Sequence, residues 1–263
     1  MDDAELVMLA DTLHKTMAAA AAAETPNVEA ALGELGWLEM LDEIPAEATA
    51  LVCRLLGETG THAGVLNDVV LHAAGRAGGA TVPLPFTGGR WVIWERVDGT
   101  GSALDPELPI RPTAAGDPVP LAAGRRALGW WLVGSSRAML ALARQHAVDR
   151  VQFGRPIASF QAVRHRLAET LVAIEGAEAT LKAADDDLGC LLAKAAAGQA
   201  ALTAAKHCQQ VMGGIGFTAE HDLHRHVKRA MVLDGLLGSA RDLTREAGAA
   251  VRSLGHAPRL AKL

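Results

Sequence analysis

An arginine at the end of a predicted helix is the first residue whose type suits a specific chemistry. Arg150 follows an apolar, helix-like run from about 126 to 148, and Gly154 and Pro156 end that helix. The guanidinium group is planar and permanently charged, so it can bond two phosphate oxygens at once. Arg150 therefore indicates a phosphate contact, with an ordinary surface ion pair to Asp149 as the alternative.

A glycine-rich turn lies further along the chain, between two predicted helices. The run 210–217 reads Gln-Val-Met-Gly-Gly-Ile-Gly-Phe, and Thr218 is placed to cap the next helix. Glycines allow a phosphate-bearing ligand to approach the backbone closely. No strand precedes the run, so it is not the glycine fingerprint of a Rossmann fold. On its own, such a run is most often a plain turn between helices.

The histidines and cysteines form no convincing metal site. His221 and His224 share one helix face while His226 points elsewhere, and no further ligand has a suitable spacing. We interpret them as solvated or packing histidines. The cysteines are odd in number, which favours reduced thiols in a cytoplasmic chain. They are Cys53, Cys190 and Cys208.

Composition favours a mainly helical protein that binds neither nucleic acid nor membrane. Half of the 263 residues are apolar, but only 3% are aromatic, and alanine supplies much of the apolar share. Alanine suits close-packed helices, whereas strands are enriched in aromatic and β-branched residues. The net charge of −5 gives no basic footprint for nucleic acid. We see no apolar run long enough to span a membrane and no basic signal-peptide region, which points to the cytoplasm.

The second half of the sequence predicts an antiparallel four-helix bundle in residues 121–263. Apolar residues recur at spacings of three and four after residue 160, which marks one face of a helix, and Ser159 is placed to cap it. The last predicted helix has possible breaks near Gly235 and Gly238. The four predicted helices, joined by short links, are 126–148, 160–185, 188–212 and 218–251.

The first 120 residues divide into two smaller regions. Residues 1–74 predict an alanine-rich helix that Thr25-Pro26 ends, although the alanine run could instead be a flexible tail. Residues 75–120 are dense in glycine and proline and predict short extended pieces. The predicted N-terminal helices are 4–23, 30–41 and 46–57, and the extended pieces are 82–86, 90–97 and 117–120.

Taken together, the arginine stretch and the glycine-rich turn resemble the acyl-CoA dehydrogenase family. Its members carry Arg-x-Gln-Phe-Gly-x-Pro-Ile followed by Phe-Gln, then two long helices, then Gln-x-x-Gly-Gly-x-Gly-Phe. The same order holds here at 150–161 and 210–217. The resemblance covers 121–245 well, 32–60 faintly and the middle poorly. It implies a mainly α fold with the family's C-terminal four-helix bundle, a shortened N-terminal helical region and a remnant small β segment.

The resemblance also implies a cofactor, FAD. In the family, the motif arginine binds the FAD pyrophosphate, the phenylalanine packs on the cofactor, and the glycine turn meets the adenosine end. In the family's tetramers these groups reach across a subunit interface to the FAD whose flavin ring lies in the neighbouring subunit. The residues so implied to bind cofactor are Arg150, Gln152, Phe153, Gln161, Gln210, Gly213 and Gly214.

Two parts of the family's active site are reduced or missing. The middle region normally holds the flavin ring, but it is much shorter here, and we interpret Trp91 and Trp94 as sheet core rather than flavin contacts. The family's chemistry needs a Glu that removes the α-proton of an acyl-CoA thioester. The two places where members carry it fall here on 238–240 and on Gly124, which have no carboxylate. Asp234 is one helical turn away, and we assign no catalytic residue.

These departures predict a non-catalytic subunit that completes the FAD site of a partner acyl-CoA dehydrogenase subunit, as an α2β2 heterotetramer. The partner would bind most of the acyl-CoA. The resemblance includes such αβ pairs in actinobacterial steroid catabolism. Two alternatives stay open. One is a structural homologue without flavin, and the other is a homo-oligomeric acyl-CoA dehydrogenase with an unconventional base.

Overall fold

The computed structural model describes residues 3–23, 27–96 and 104–256, and most of their buried apolar residues form one core. The first helix, α1 (Asp3–Ala21), buries Leu13 and Met17 in that core. The alanine run is therefore the end of a packed helix and not a flexible tail. The predicted end of this helix at Thr25-Pro26 lies outside the described residues.

The rest of the N-terminal region has more helices than the sequence predicts. The single helix expected at 30–41 is wrong, because α2 (Val28–Glu34) and α3 (Trp37–Glu43) are separated by Gly36 in a left-handed conformation with φ of 76°. The predicted third helix is confirmed as α4 (Pro45–Thr59). A further buried helix, α5 (Val65–Ala73), was not predicted.

The middle region contains a small antiparallel sheet. Its strands are β1 (Pro83–Phe86), β2 (Arg90–Trp94) and β3 (Ile110–Pro112), in that order. The extended piece expected at 117–120 forms no strand, and half of its residues are prolines, which lack the N–H donor a ladder needs.

The two tryptophans of β2 have different surroundings. Trp94 is fully buried against Trp131, with ring centroids 5.3 Å apart. Trp91 is only half-buried. The prediction of a sheet core is therefore confirmed for Trp94 and wrong for Trp91.

The C-terminal half is the predicted helical bundle with its last helix divided. The helix α8 runs through the middle of the bundle and packs against the other four. The break falls at the predicted glycines, between Gly235 and Ala240. The five helices are α6 (Ala122–Asp149), α7 (Gln161–Ala183), α8 (Asp187–Met212), α9 (Leu223–Gly235) and α10 (Ala240–Leu254).

Small residues let these helices approach closely. A Cβ atom on Gly134 of α6 would collide with the Arg54 carbonyl oxygen of α4, and one on Gly57 would collide with the Trp131 carbonyl oxygen. The central helix α8 buries a run of alanines. The alanine-rich composition thus permits the close helix packing that the sequence predicts.

Contrary to the expectation from the sequence, one helical stretch of the described chain is long and apolar enough to cross a membrane, by length and composition alone. It is Asp187–Phe217, which consists of α8 and the turn after it, and 61% of its most apolar window is buried inside the protein. Burial of this kind is typical of the core helix of a bundle.

Candidate functional site

Both motif stretches lie at the same end of the bundle. The helices α7 and α8 run antiparallel, and Thr170 of α7 meets His207 of α8 at 3.1 Å, so the start of α7 lies beside the end of α8. His146 near the end of α6 lies near His221, just before α9, and His221 contributes to the lowered pKa of His146. We call this region, residues 150–160 and 213–222, the link end.

The first connection at the link end is a tight hairpin. Its strands β4 (Val151–Gln152) and β5 (Arg155–Pro156) pair antiparallel. The two turn residues, Phe153 and Gly154, have φ of 54° and 76°, the left-handed values of a type I′ turn. This turn places the Phe153 side chain almost entirely in solvent, with 90% of its surface exposed. A fully exposed phenylalanine in a left-handed turn is costly, so the position indicates a contact surface.

Arg150 sits at the cap of α6 with its side chain free to bind. Its N–H donates to the His146 carbonyl, and its own carbonyl accepts from the Ile157 N–H. Asp149, the alternative partner, instead accepts from the Gln145 amide at 2.8 Å. In the described part of the chain Arg150 makes no ion pair. Its surface is exposed, as are those of Gln152, Gln161 and Gln210.

The second connection is an open glycine turn. Gly213–Phe217 form one short 3₁₀ helix after α8. A Cβ atom on Gly213 or Gly214 would meet no other part of the described chain within 4 Å. The backbone at these two glycines is therefore open to a ligand, while Gln209 rather than Gln210 reaches back toward the turn, 3.5 Å from the Gly216 carbonyl.

Two predicted helix caps are wrong. The residue before α7 is Phe160, not Ser159, and no side chain caps that helix. The residue before α9 is Asp222, and the Thr218 hydroxyl bonds the Ile215 carbonyl instead. Ser159 is the last residue of the 3₁₀ segment Ile157–Ser159, and Thr218 follows the 3₁₀ segment Gly213–Phe217, so neither residue directly precedes its helix.

The three histidines near α9 do not form a metal site. His221 Nδ1 accepts from the Leu223 N–H, and His224 Nδ1 lies 2.9 Å from the His221 carbonyl oxygen. His226 is buried, and burial lowers its pKa to about 4. No group of three possible ligands comes together among the described residues.

A charge effect does link the two connections of the link end. Burial lowers the pKa of His146 below its usual value, and the neighbouring charges of His221 and Arg150 lower it further. Arg150 from the first connection and His221 from the segment after the second thus both lie near His146.

The positions expected for a catalytic Glu, Gly124 and the stretch 238–240, carry no carboxylate, and the two glycines among them leave little room for a side chain. A Cβ atom on Gly124 would lie 2.8 Å from side-chain atoms of both Leu237 and Val70. Gly238 has a φ of 101°, which other residues rarely adopt. The Asp234 carboxylate accepts the Ala240 N–H at 3.0 Å, so it serves as a cap for α10.

A large apolar cavity, which sequence reasoning missed, separates the sheet from the end of α9. Its volume is about 950 Å³, and it is open to solvent. Half-buried Trp91 lines it, together with Phe86 and Met231. Asp234 and Ser239 reach its floor, but Ser239 is bonded to Asp242 at 2.7 Å. The half-buried Trp91 is the feature that could have indicated the cavity, but its exposure cannot be read from the sequence.

The bundle identifies the family of this half of the chain. Residues 119–249 match the model of the acyl-CoA dehydrogenase C-terminal domain. The C-terminal half of the chain therefore belongs to the acyl-CoA dehydrogenase family, as the two motifs predicted.

Similar proteins include actinobacterial acyl-CoA dehydrogenases. The chain is 41% identical over 116 residues to the acyl-CoA dehydrogenase IpdE2 of Mycobacterium tuberculosis, a match covering 43% of this chain and 36% of that relative. The aligned region thus spans little more than a third of the relative's length.

Solved structures share the fold over nearly the whole chain. The ChsE4-ChsE5 complex from Mycobacterium tuberculosis is 21% identical with a TM-score of 0.68, covering 98% of this chain and 99% of that chain. Butyryl-CoA dehydrogenase of Megasphaera elsdenii is 16% identical with a TM-score of 0.71, covering 96% and 99%. The predicted fold class is confirmed.

Proposed function

We propose that this chain is a subunit of a FAD-dependent acyl-CoA dehydrogenase, and that it completes the FAD site of a partner subunit without supplying a catalytic base. One observation carries the proposal. The residues implied to bind FAD lie exposed in or directly beside the link end, whereas Gly124 and the stretch 238–240, where family members carry the base, have no carboxylate.

The residues present fit the adenosine-diphosphate half of FAD. Arg150 offers an unpaired guanidinium for a phosphate, and Gly213 and Gly214 leave backbone open to close approach. Gln152, Gln161 and Gln210 offer amides for hydrogen bonds, and Phe153 offers an exposed ring. When bound, FAD supplies the hydride acceptor of α,β-dehydrogenation, while this chain's residues bind and orient the cofactor.

Exposed apolar side chains surround the link end and fit a subunit interface. Groups of exposed apolar side chains often mark protein interaction sites. We propose that an acyl-CoA dehydrogenase partner covers it in an α2β2 heterotetramer, since a protein of the same fold is solved as the ChsE4-ChsE5 complex. The exposed residues are Val148, Val151, Phe153, Ile215 and Phe217.

The partner would bind most of the acyl-CoA and supply the base. Steroid-derived thioesters are the substrate class we propose, because the implied αβ pairs act on them. We also propose a cytoplasmic location and the division into regions 1–74, 75–120 and 121–263. The three buried cysteines fit a reducing compartment.

The cavity beside Trp91 favours a second candidate function, a self-sufficient enzyme. Asp234 lines the cavity and would be the first suspect for an unconventional base. Its carboxylate, however, already accepts the Ala240 N–H, and the described residues that line the cavity include no other carboxylate. A flavin-free structural homologue is the remaining alternative.

A visible absorbance scan separates the three functions. The chain would be purified alone and after co-expression with a candidate partner. Flavin absorbance only in the partnered sample is the result we expect. Flavin with turnover in the chain alone would establish the self-sufficient enzyme, and no flavin in either sample, with a partner bound, would establish the structural homologue.

A further inference from the structure

A closed ring of hydrogen bonds holds one arginine at the seam between α7 and α8. Arg166 Nη1 lies 3.2 Å from His207 Nε2, and because arginine only donates, Nε2 must accept. His207 Nδ1 then carries its hydrogen and donates to the Thr170 hydroxyl at 3.1 Å. That hydroxyl donates to the Arg166 carbonyl at 2.8 Å. One tautomer of His207 therefore satisfies all three residues.

The ring fixes a guanidinium that is still half in solvent. His207 is buried, with 8% of its surface exposed, whereas the Arg166 side chain is 50% exposed. A guanidinium has five N–H donors, and the contact with His207 uses one of them. Because the bond to His207 already holds the guanidinium in place and its other donors are available, Arg166 can bind an anion with little loss of conformational entropy.

Arg166 lies within about two helical turns of two residues implied to bind FAD. At 1.5 Å per residue it is about 7.5 Å along α7 from Gln161, and His207 is about 4.5 Å along α8 from Gln210. Helical side chains lean toward the N-terminus of their helix, which for α7 is the link end. The guanidinium therefore leans along the helix axis toward the end of the bundle where Gln161 and Gln210 lie.

We propose that Arg166 is a second cationic ligand for the diphosphate of the cofactor, and that His207 and Thr170 position it. This inference rests on the proposed function. A diphosphate carries two phosphate groups, and Arg150 alone can hold one of them bidentately. The seam supplies a second, preoriented guanidinium from a different helix.

Glu169 is the competing partner of this arginine. Its carboxylate lies 3.4 Å from Arg166 Nη1 and is 58% exposed. An exposed ion pair of this kind is weak, so a phosphate displaces it at little cost. Replacing Glu169 by Gln should therefore tighten binding of the anionic cofactor, an effect opposite to that of losing the arginine.

The test measures the FAD dissociation constant of the partnered complex after removal of flavin, by titration calorimetry. Arg166→Met should weaken binding about tenfold or more, the loss of one charge-assisted bond. Arg164→Met, two residues earlier, removes the same charge and is the matched control, with a change of less than about threefold expected from long-range field alone. Thr170→Val should also weaken FAD binding, because it removes the hydroxyl that positions His207. Thr170→Ser keeps the hydroxyl and should bind FAD as the unchanged chain does.

The outcomes distinguish this inference from the proposed function. If Arg150→Ala weakens FAD binding and Arg166→Met leaves it unchanged, the inference is wrong and the proposed function stands. If neither variant matters, both are wrong. Equal losses of FAD affinity in Arg164→Met and Arg166→Met would also overturn the inference. Such a result would mean that the net charge of the chain, and not a direct contact from Arg166, affects binding. If Arg166→Met fails to fold, Arg166→Lys takes its place, and the opposite effect of Glu169→Gln is required in either case.

Discussion

The ammonium nitrogen of Lys194 lies 2.5 Å from the carbonyl oxygen of Asp234, deep inside the protein. It also donates to the Gly238 carbonyl. These bonds hold the turn between α9 and α10, where Leu237 has a left-handed φ of 57°. A lysine of the central helix thus stabilises this strained turn.

This lysine predicts a pH-dependent stability. Burial lowers its pKa from 10.5 to about 7, against the attraction of Asp234. Between those values the unfolded chain keeps the proton and the folded chain has lost it, so the free energy of unfolding should rise with pH. The limiting slope is about 1.4 kcal/mol per pH unit for one proton.

The pH prediction is checked by denaturation midpoints from pH 7 to pH 10. Lys194→Met should remove this part of the slope. Lys182→Met is the matched control, because Lys182 is 67% exposed and pairs with Glu178 at the surface. Identical pH profiles for wild type and Lys194→Met would contradict the prediction.

Arg150→Ala should weaken FAD retention in the partnered complex. The lost contact is charge-assisted, so a cost of about 1.5–3 kcal/mol is expected. Flavin occupancy after gel filtration measures it. Arg144→Ala, on the preceding turns of α6, is the control. Full occupancy in the Arg150 variant would remove Arg150 from the site.

The isolated chain should self-associate or precipitate. The apolar side chains around the link end, including Phe153 and Phe217, would then meet water or one another. Light scattering of the chain with and without its partner measures this. Phe153→Ser should reduce the association of the isolated chain and also weaken the complex. A stable monomer with a sharp thermal transition counts heavily against the subunit proposal.

Introducing a carboxylate at either family position should not create dehydrogenase activity. Gly124→Glu would clash with Leu237 and Val70, and Gly238→Glu would strain the backbone, so both should destabilise the chain. Gly176→Glu, at an open helical position, is the folding control. Thermal midpoints and turnover with acyl-CoA thioesters and an electron acceptor provide the readout.

The partner's own base gives the converse prediction. Its Glu→Gln variant should abolish turnover of the complex, because Asp234, the carboxylate of this chain that lines the cavity, already accepts the Ala240 N–H. Near-normal turnover would place the base in this chain. Asp234→Asn would then be the next substitution to assay.

Sequence patterns were most reliable for the long helices and least reliable for their ends. The spacing of apolar residues after Phe160 located α7 within two residues. The caps at Ser159 and Thr218 failed because hydroxyl-bearing residues serve 3₁₀ turns as well as α-helices, and local sequence does not separate the two. Helix α5 was missed because its apolar residues cover nearly every face, which leaves no periodicity to detect.

In the candidate site, too, some residues could be predicted from the sequence and others could not. The motif residues could be found from the sequence, because their order along the chain matches a known family. The ring of Arg166, Thr170 and His207 could not, because it joins two helices that are neighbours only after folding. The cavity beside Trp91 depends on the separation of a sheet and a helix, for which sequence gives no measure.

The glycine contact between α4 and α6 sets a limit on how this protein can be divided. Gly57 and Gly134 bring two backbones together across the border between the N-terminal helices and the bundle. Cutting the chain after residue 118 would leave α6 with a bare groove along Trp131 and Gly134, although the family match begins at residue 119. The evolutionary unit and the folding unit therefore differ, and a fragment trimmed to the former would lack one wall of its own core.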